Sequence, residues 1–357
     1  MSGSNKFLLF FFGIPIVVVT AFLSLSYYLE FRPEKVEYAL KIRDGRKVFE
    51  GGNLRILSWN IGYAGLGKDA DFFLDGGKSS KPDNVETVRK NLDEIKKKIS
   101  EINADIVFLQ EVDVESSRTF NILQAFEIAN ENKEYGSWFA TNFRTFFVPV
   151  PWYSPMGKIW SGIMTLSKFR FTDEVTRHSL PENLKLPERL FDLKRCMLVS
   201  RILLDEEGRE LVLVNLHLSA FDDGELKKQQ IEFVVEFLVN EHKKGNMVIA
   251  GGDWNHSMPG IEKEHFGSFT TQEENLKWLG RIDEKMTPQG WSWVFDQNNP
   301  SVRSNEKGYV KGENFTTVID GFLVSPGIVV KEIRTVTSQF EHSDHEPVVV
   351  EISVENN

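Results

Sequence analysis

The stretch Glu341-His342-Ser343-Asp344-His345-Glu346-Pro347 sets an imidazole beside a carboxylate and runs into the apolar Val348-Val349-Val350. A carboxylate so placed fixes the histidine tautomer and stabilises its protonated form, which suits proton transfer or charge stabilisation at a phosphoryl group. By itself the dipeptide fits an aspartate-capped turn as well. Four more segments share the build, a short apolar run ending in polar residues. They are Leu57-Ser58-Trp59-Asn60, Phe108-Leu109-Gln110-Glu111, Val214-Asn215-Leu216-His217-Leu218 and Ile249-Ala250-Gly251-Gly252-Asp253-Trp254-Asn255. A fifth, Val318-Ile319-Asp320-Gly321-Phe322-Leu323-Val324-Ser325, carries an aspartate within its apolar run.

Asn60 and Glu111 offer an amide oxygen and a carboxylate. That hard-oxygen set suits Mg²⁺, which keeps several waters and binds through one or two carboxylates plus substrate phosphate. Asp113 is a further candidate ligand. Asp253 and Asn255, two apart, point the same way from an extended strand end. The glycines before them let the backbone turn tightly beside a phosphate. Arg195, in Leu193-Lys194-Arg195-Cys196, offers a forked guanidinium to phosphate, with an ordinary strand arginine as the competing reading.

The elements that must hold these residues are legible as periodicity. Val85, Val88, Leu92, Ile95, Ile99 and Ile102 recur every three or four positions and predict an amphipathic helix over 85–102. Ile231, Val234, Val235 and Leu238 do the same for 225–242. Short β-branched runs at 54–58, 106–109, 211–216, 247–250, 318–324, 328–336 and 348–354 read as strands buried on both faces. Strands alternating with helices imply an α/β domain of two packed sheets with helices outside. Residues 143–162 carry three prolines among Phe146, Phe147, Trp152, Tyr153 and Trp160, which argues against a long strand there. They suit a lipid-facing loop, a cleft wall or core packing. Gly290–Gly312, with Trp291, Trp293 and Arg303, reads as a loop across the rim of the site.

A chain of 357 residues with 41% hydrophobic content accommodates one large domain after its N-terminal segment. Its single cysteine, Cys196, excludes an intrachain disulfide framework and reads as a small apolar packing residue. A formal charge of −10 argues against a broad electrostatic grip on a polyanion such as DNA, and leaves room for a local basic pocket.

In this order, the five segments and the Ser-Asp-His turn resemble the endonuclease/exonuclease/phosphatase superfamily. That group includes deoxyribonuclease-like nucleases, neutral sphingomyelinases and inositol polyphosphate 5-phosphatases. The resemblance runs from about Leu54 to Val354, so the domain is placed at 54–357. It implies a four-layer sandwich of two packed β-sheets flanked by helices, with functional residues at the strand ends. It also implies a Mg²⁺ cofactor, with Mn²⁺ as the substitute, on Asn60 and Glu111. Asp253 would orient and deprotonate the attacking water, and Asn255 would donate to the developing phosphorane oxygen. His217 would contact phosphate, with Asn215 of the same motif on the substrate side. Asp320 resembles the buried carboxylate that bonds a catalytic histidine, read here as His217. His345 would stabilise or protonate a phosphoryl oxygen. Asp344 is either a metal or water ligand or the partner of His345. Apurinic endonucleases usually carry asparagine at the His217 position, so the likeness is better to the other branches.

Residues 7–29 carry no charge, and at ~1.5 Å per residue they match a hydrocarbon core of about 30 Å. Tyr27 and Tyr28 sit where interfacial aromatics belong. Residues 1–32 therefore read as one N-terminal transmembrane helix, favoured over a cleaved signal sequence, with 33–53 as a juxtamembrane linker. A single-pass membrane protein with its catalytic domain outside the cytoplasm is expected. The sequence thus describes a membrane-anchored, Mg²⁺-dependent phosphoesterase that splits a phosphodiester of a lipid head group or nucleic acid by attack of an activated water. The alternative is a phosphomonoesterase of inositol phosphates or phosphoinositides. The 5-phosphatases usually continue Asn-Tyr-Arg where this chain has Asn255-His256-Ser257, a departure that weighs against it. A non-catalytic binding module on the same fold is disfavoured because the constellation is complete. No protein partner is inferable.

Overall fold

The computed structural model describes residues 13–220, 224–267, 276 and 279–354. Two seven-stranded sheets pack face to face. In spatial order one contains Val36–Tyr38, Thr176–Ser179, Cys196–Leu203, Glu210–His217, Met247–Asp253, Asp320–Val324 and Ser292–Val294. The other contains Val329–Thr335, Val348–Val354, Gly52–Asn60, Ile106–Asp113, Gly157–Ser167, Gly136–Val148 and Leu40–Arg43.

The side-chain period of two sorts each central strand between layers. Val348, Val350, Ile352 and Val354 face the inter-sheet core with Leu54, Ile56, Phe108, Leu213, Ile249 and Phe322, whereas Val349 faces the outer layer. The predicted helix forms at Val85–Ile102 and buries Val88, Leu92, Ile95, Ile99 and Ile102 against Leu57, Val107 and Leu109. Asn84 caps it by accepting from the Thr87 N–H, and Asn103 ends it in the left-handed conformation at φ 50°. Glu225–Lys243 covers the other sheet through Ile231, Val234 and Leu238. Each of these helices follows one strand and precedes a parallel neighbour, Gly52–Asn60 with Ile106–Asp113 and Glu210–His217 with Met247–Asp253. A parallel pair requires such a crossover, and it carries both strands' C-terminal ends to the same end of the sandwich.

Three expectations change. Residues 33–53 are not a free linker: Val36–Tyr38 pairs with Thr176–Ser179 in one sheet, and Leu40–Arg43 pairs with 137–139 in the other. Residues 143–162 do contribute to long strands, because Pro149, Pro151 and Pro155 all fall in the connection between Gly136–Val148 and Gly157–Ser167. Trp291 and Trp293 do not lie on the rim; they pack in the layer of Glu225–Lys243, where Trp293 meets Trp254 at 4.6 Å. Of the expected transmembrane segment, residues 1–12 lie outside the described residues, and Ile14–Tyr28 forms a 15-residue helix. Among the described residues no helix is long and apolar enough to cross a membrane.

Candidate active site

Register brings the motif residues together. Asp253 ends its strand beside His217 on one side and Asp320 on the other, while Asn60 stands opposite Gln110 in the second sheet. Asp344 and His345 arrive at the same end, three residues before Val348–Val354. The two sheets are joined there by the Asn60 amide, whose Nδ2 donates to Asp253 Oδ2 at 2.9 Å and to Glu111 Oε1 at 3.2 Å. Its Oδ1 accepts from the Gly62 N–H, so the nitrogen faces the two carboxylates.

The Asp253 carboxylate is the hub. His217 Nε2 lies 3.3 Å from its Oδ2 and His345 Nε2 lies 3.7 Å from the same oxygen. Its Oδ1 accepts from the Asn255 N–H. His345 is oriented from behind, with Nδ1 2.8 Å from Asp320 Oδ2, an oxygen that also accepts from the Ser301 hydroxyl at 2.7 Å. Asp320 therefore supports His345 and not His217. Asp344 does not pair with His345 either; its Oδ2 accepts from Asn305 Nδ2 at 2.7 Å.

These contacts divide the charge. Burial works against a charged His345, but the Asp320 and Asp253 carboxylates outweigh it and hold its pKa well above the ordinary histidine value. Burial, reinforced by Arg195 and His345, pushes His217 well below that value. One imidazole is thus kept as a cation and the other neutral. Burial raises Asp253 to about 7 against the pull of His345, with Asp320 adding to the rise. Glu111 is raised by burial and then by Asp344.

A pocket of about 790 Å³ covers this floor and is lined by Glu111, Arg195, His217, Asp253, Asn255, Asp344 and His345. Arg195 and Asn142 both line the pocket, and Arg195 Nη1 and Asn142 Nδ2 are buried without a hydrogen-bond partner. The Asn255 side chain instead donates to the Leu218 carbonyl at 2.8 Å. Asn215 departs further from expectation. It shares the face of His217 but sits two residues deeper between the sheets, donating to Met164 O and accepting from Gln110 Nε2, and it does not line the pocket. Asp113 is occupied by Arg118 and the Thr119 hydroxyl. The glycines before Asp253 lie within the strand, where a Cβ on Gly252, at φ +149°, would collide with the Leu216 carbonyl.

Sequence reasoning missed Arg118, which stacks at 3.8 Å over Tyr63 on the pocket wall, and Ser301 and Asn305, which brace Asp320 and Asp344. Only their proximity in the fold reveals these three; no spacing ties them to the motifs. Cys196 is fully buried and its thiol is pushed up to about 11 by that burial, as a packing residue should be.

The carboxylates of Glu111, Asp253 and Asp344, a charged and a neutral imidazole, and the Arg195 guanidinium around one cleft suit hydrolysis of phosphoric esters. The chain belongs to the Endonuclease/Exonuclease/phosphatase family, whose model matches residues 57–345. Members of this family are hydrolytic phosphoesterases and nucleases, and the chain is an enzyme of that class. The fold is similar to an endonuclease/exonuclease/phosphatase from Beutenbergia cavernae, at 18% identity and TM-score 0.58 over 85% of this chain and 72% of that one. It is also similar to ANGEL2, a 2′,3′-cyclic phosphatase, at 15% identity and TM-score 0.54 over 91% of this chain and 99% of that one. A family protein from Leptotrichia buccalis follows at 14% identity and TM-score 0.52, over 84% and 99%. No curated protein sequence matches this chain.

Proposed function

We propose that this chain is a Mg²⁺-dependent phosphodiesterase held at a membrane by its N-terminal segment, with the catalytic domain outside the cytoplasm. The observation that carries the chemistry is the convergence of Asn60, His217 and His345 on one oxygen of Asp253, with Glu111 and Asp344 lining the same pocket. The donor chemistry suits a hard cation: burial and the Asp344 carboxylate both raise the cost of ionising Glu111, a cost that a bound divalent ion would relieve. Glu111 and Asp344 would hold the ion, with the Asn60 oxygen joining after an amide turn. When bound, the ion supplies Lewis-acid polarisation of a phosphoryl oxygen.

The chain's own residues do the rest. Asp253 Oδ2 accepts a proton from a water aligned on phosphorus, and His217, with the Asn255 N–H on Oδ1, holds that carboxylate in place. The P–O ester bond opposite the water breaks as the new one forms, and the leaving oxygen departs as an alkoxide that takes its proton from solvent water. The His345 imidazolium, fixed by Asp320, donates to a non-bridging oxygen as charge gathers there. Arg195 and Asn142 take the remaining anionic oxygens. A diester with little additional charge is favoured over a long polyanion, because the net charge is −10 and much of the pocket wall is apolar.

The test is hydrolysis by the purified full chain of bis-p-nitrophenyl phosphate, plasmid DNA, RNA and phospholipid vesicles, with and without Mg²⁺. Metal-dependent diester cleavage is expected. Metal-independent turnover, or none on any diester, overturns the reading.

A further inference from the structure

Away from the carboxylates and imidazoles, the pocket changes character. Phe143, Val148, Met156 and Ile159 form a fourth apolar cluster, separate from the inter-sheet core and the two outer layers, with Phe73 and Leu193 packed against it. Each of the other clusters is closed by a second sheet or a helix; this one borders the cavity, which Phe73, Phe143, Val148 and Met156 line. The wall continues through Phe191, at the end of the short turn of helix Glu188–Phe191. On its far side Phe191 stacks on Phe22 of the N-terminal helix, with ring centroids 5.7 Å apart and planes 7° from parallel. Phe146 and Phe147 meet Phe22 as well. An apolar path therefore leads from a helix whose Ile16, Val17, Val18 and Val19 are all exposed to the wall of the catalytic pocket.

A cavity of about 790 Å³ lies in the size range of sites that bury most of a ligand of a few hundred daltons. At about 30 Å³ per liquid water it would hold roughly 25 waters, far more than one phosphoryl group and its hydration displace. Water against such a wall is released at a gain by any hydrocarbon that replaces it. A nucleoside would ask for hydrogen-bonding edges, which the cluster does not offer.

Resting on the phosphodiesterase reading, we infer that the apolar arm is a second subsite of the same pocket, which takes the hydrocarbon portion of a lipid phosphodiester while the phosphate sits over Asp253. Arg195 and Asn142 line the same pocket as the cluster, and Asn142 immediately precedes Phe143 in the chain. The helix contact at Phe191 places the arm beside the exposed apolar residues of Ile14–Tyr28, so the ligand is taken to enter from that side.

The experiment is calorimetric titration of the full chain, in Mg²⁺ and at fixed detergent, with ethyl, butyl and hexyl phosphate and with adenosine 5′-monophosphate. Burial of each methylene tightens binding by about two- to fourfold, so hexyl phosphate is expected to bind at least ~10-fold more tightly than ethyl phosphate. Phe73→Ser, in a loop turn and not a core strand, is expected to flatten that series. Equal affinity along the series overturns the inference, and so does tighter binding of adenosine monophosphate than of hexyl phosphate. A folded Phe73→Ser protein that keeps the full chain-length gain overturns the assignment of the arm. Because the readout is binding, a chain that binds alkyl phosphates by length yet hydrolyses no diester separates failure of the catalytic reading from failure of this one.

Discussion

The floor and the wall of the pocket are built by different rules. At the floor each charged group is tied to a neighbour: Asp320 accepts from Ser301 and pairs with His345, Asp253 is held by Asn60, and Asp344 by Asn305. Those residues end or border central strands of both sheets, so their positions follow from the register. At the wall the contacts are apolar and draw on connections as well as strands: Phe73 from a short turn, Met156 from a proline-bearing loop and Phe191 from the segment between two strands, beside Phe143 and Val148 at one strand and Ile159 on its partner. Electrostatic preorganisation needs fixed dipoles, whereas recognition of a hydrocarbon needs only shape and dryness. The contrast teaches that the charged floor is set by strand register and side-chain hydrogen bonds, whereas the apolar wall needs no such ties and can draw on loops and strands alike.

Experiments at the floor should give the largest losses. Chelation is expected to abolish diester hydrolysis and added Mg²⁺ to restore it, read as initial rate; full turnover without metal would remove the carboxylate pair from the mechanism. Asp253→Asn and His345→Ala are each expected to slow kcat by ~10²–10⁴-fold with the fold intact, the span for removing a positioned acid or base. The double variant should lose far less than the product of the two, because the groups act as a unit. Retention of more than about a tenth of the rate in either single variant refutes its role.

The pH profile sharpens the division within the floor. Protonated Asp253 cannot accept a proton, and its pKa is raised to about 7, so kcat/KM should be lost as pH falls through that region, about tenfold per unit. His345 works as a cation held by Asp320, so Asp320→Asn should move the alkaline limb to lower pH. An unmoved alkaline limb in that variant assigns it to another group. The wall and its surroundings should give the smallest effect. Trp152, 86% exposed, is expected on Trp152→Ser to cost a few-fold on vesicles and nothing on bis-p-nitrophenyl phosphate. Equal loss on both would make Trp152 a structural residue.

The same division explains what the sequence reveals. Asn60, Glu111, His217, Asp253, Asp344 and His345 follow or border apolar strands, a pattern visible as residue order, and the structure gathers all six. Which carboxylate serves which histidine is a matter of contacts between distant segments, so the partner of Asp320 was misassigned. Asn215 misleads for a geometric reason: it shares the face of His217, but two residues along a strand separate a pocket from a sheet interface. Val36–Tyr38 and Leu40–Arg43 do alternate apolar and charged residues, but at three and four residues each they are too short for that period to stand out. Most of the apolar wall falls in 143–162, which the sequence offered as a cleft wall, whereas Phe73 and Phe191 come from segments that no spacing ties to it.

Those two short strands have a consequence for how the chain can be cut. Val36–Tyr38 is the outermost strand of one sheet and Leu40–Arg43 of the other, so eight consecutive residues guard one margin of each. A fragment starting at residue 51 would leave Thr176–Ser179 uncovered, along with the first part of the 13-residue strand Gly136–Val148. Unpaired strand margins are templates for pairing with other chains. Such a fragment should self-associate, whereas one starting at residue 34 keeps both margins sealed and should sediment as a single species.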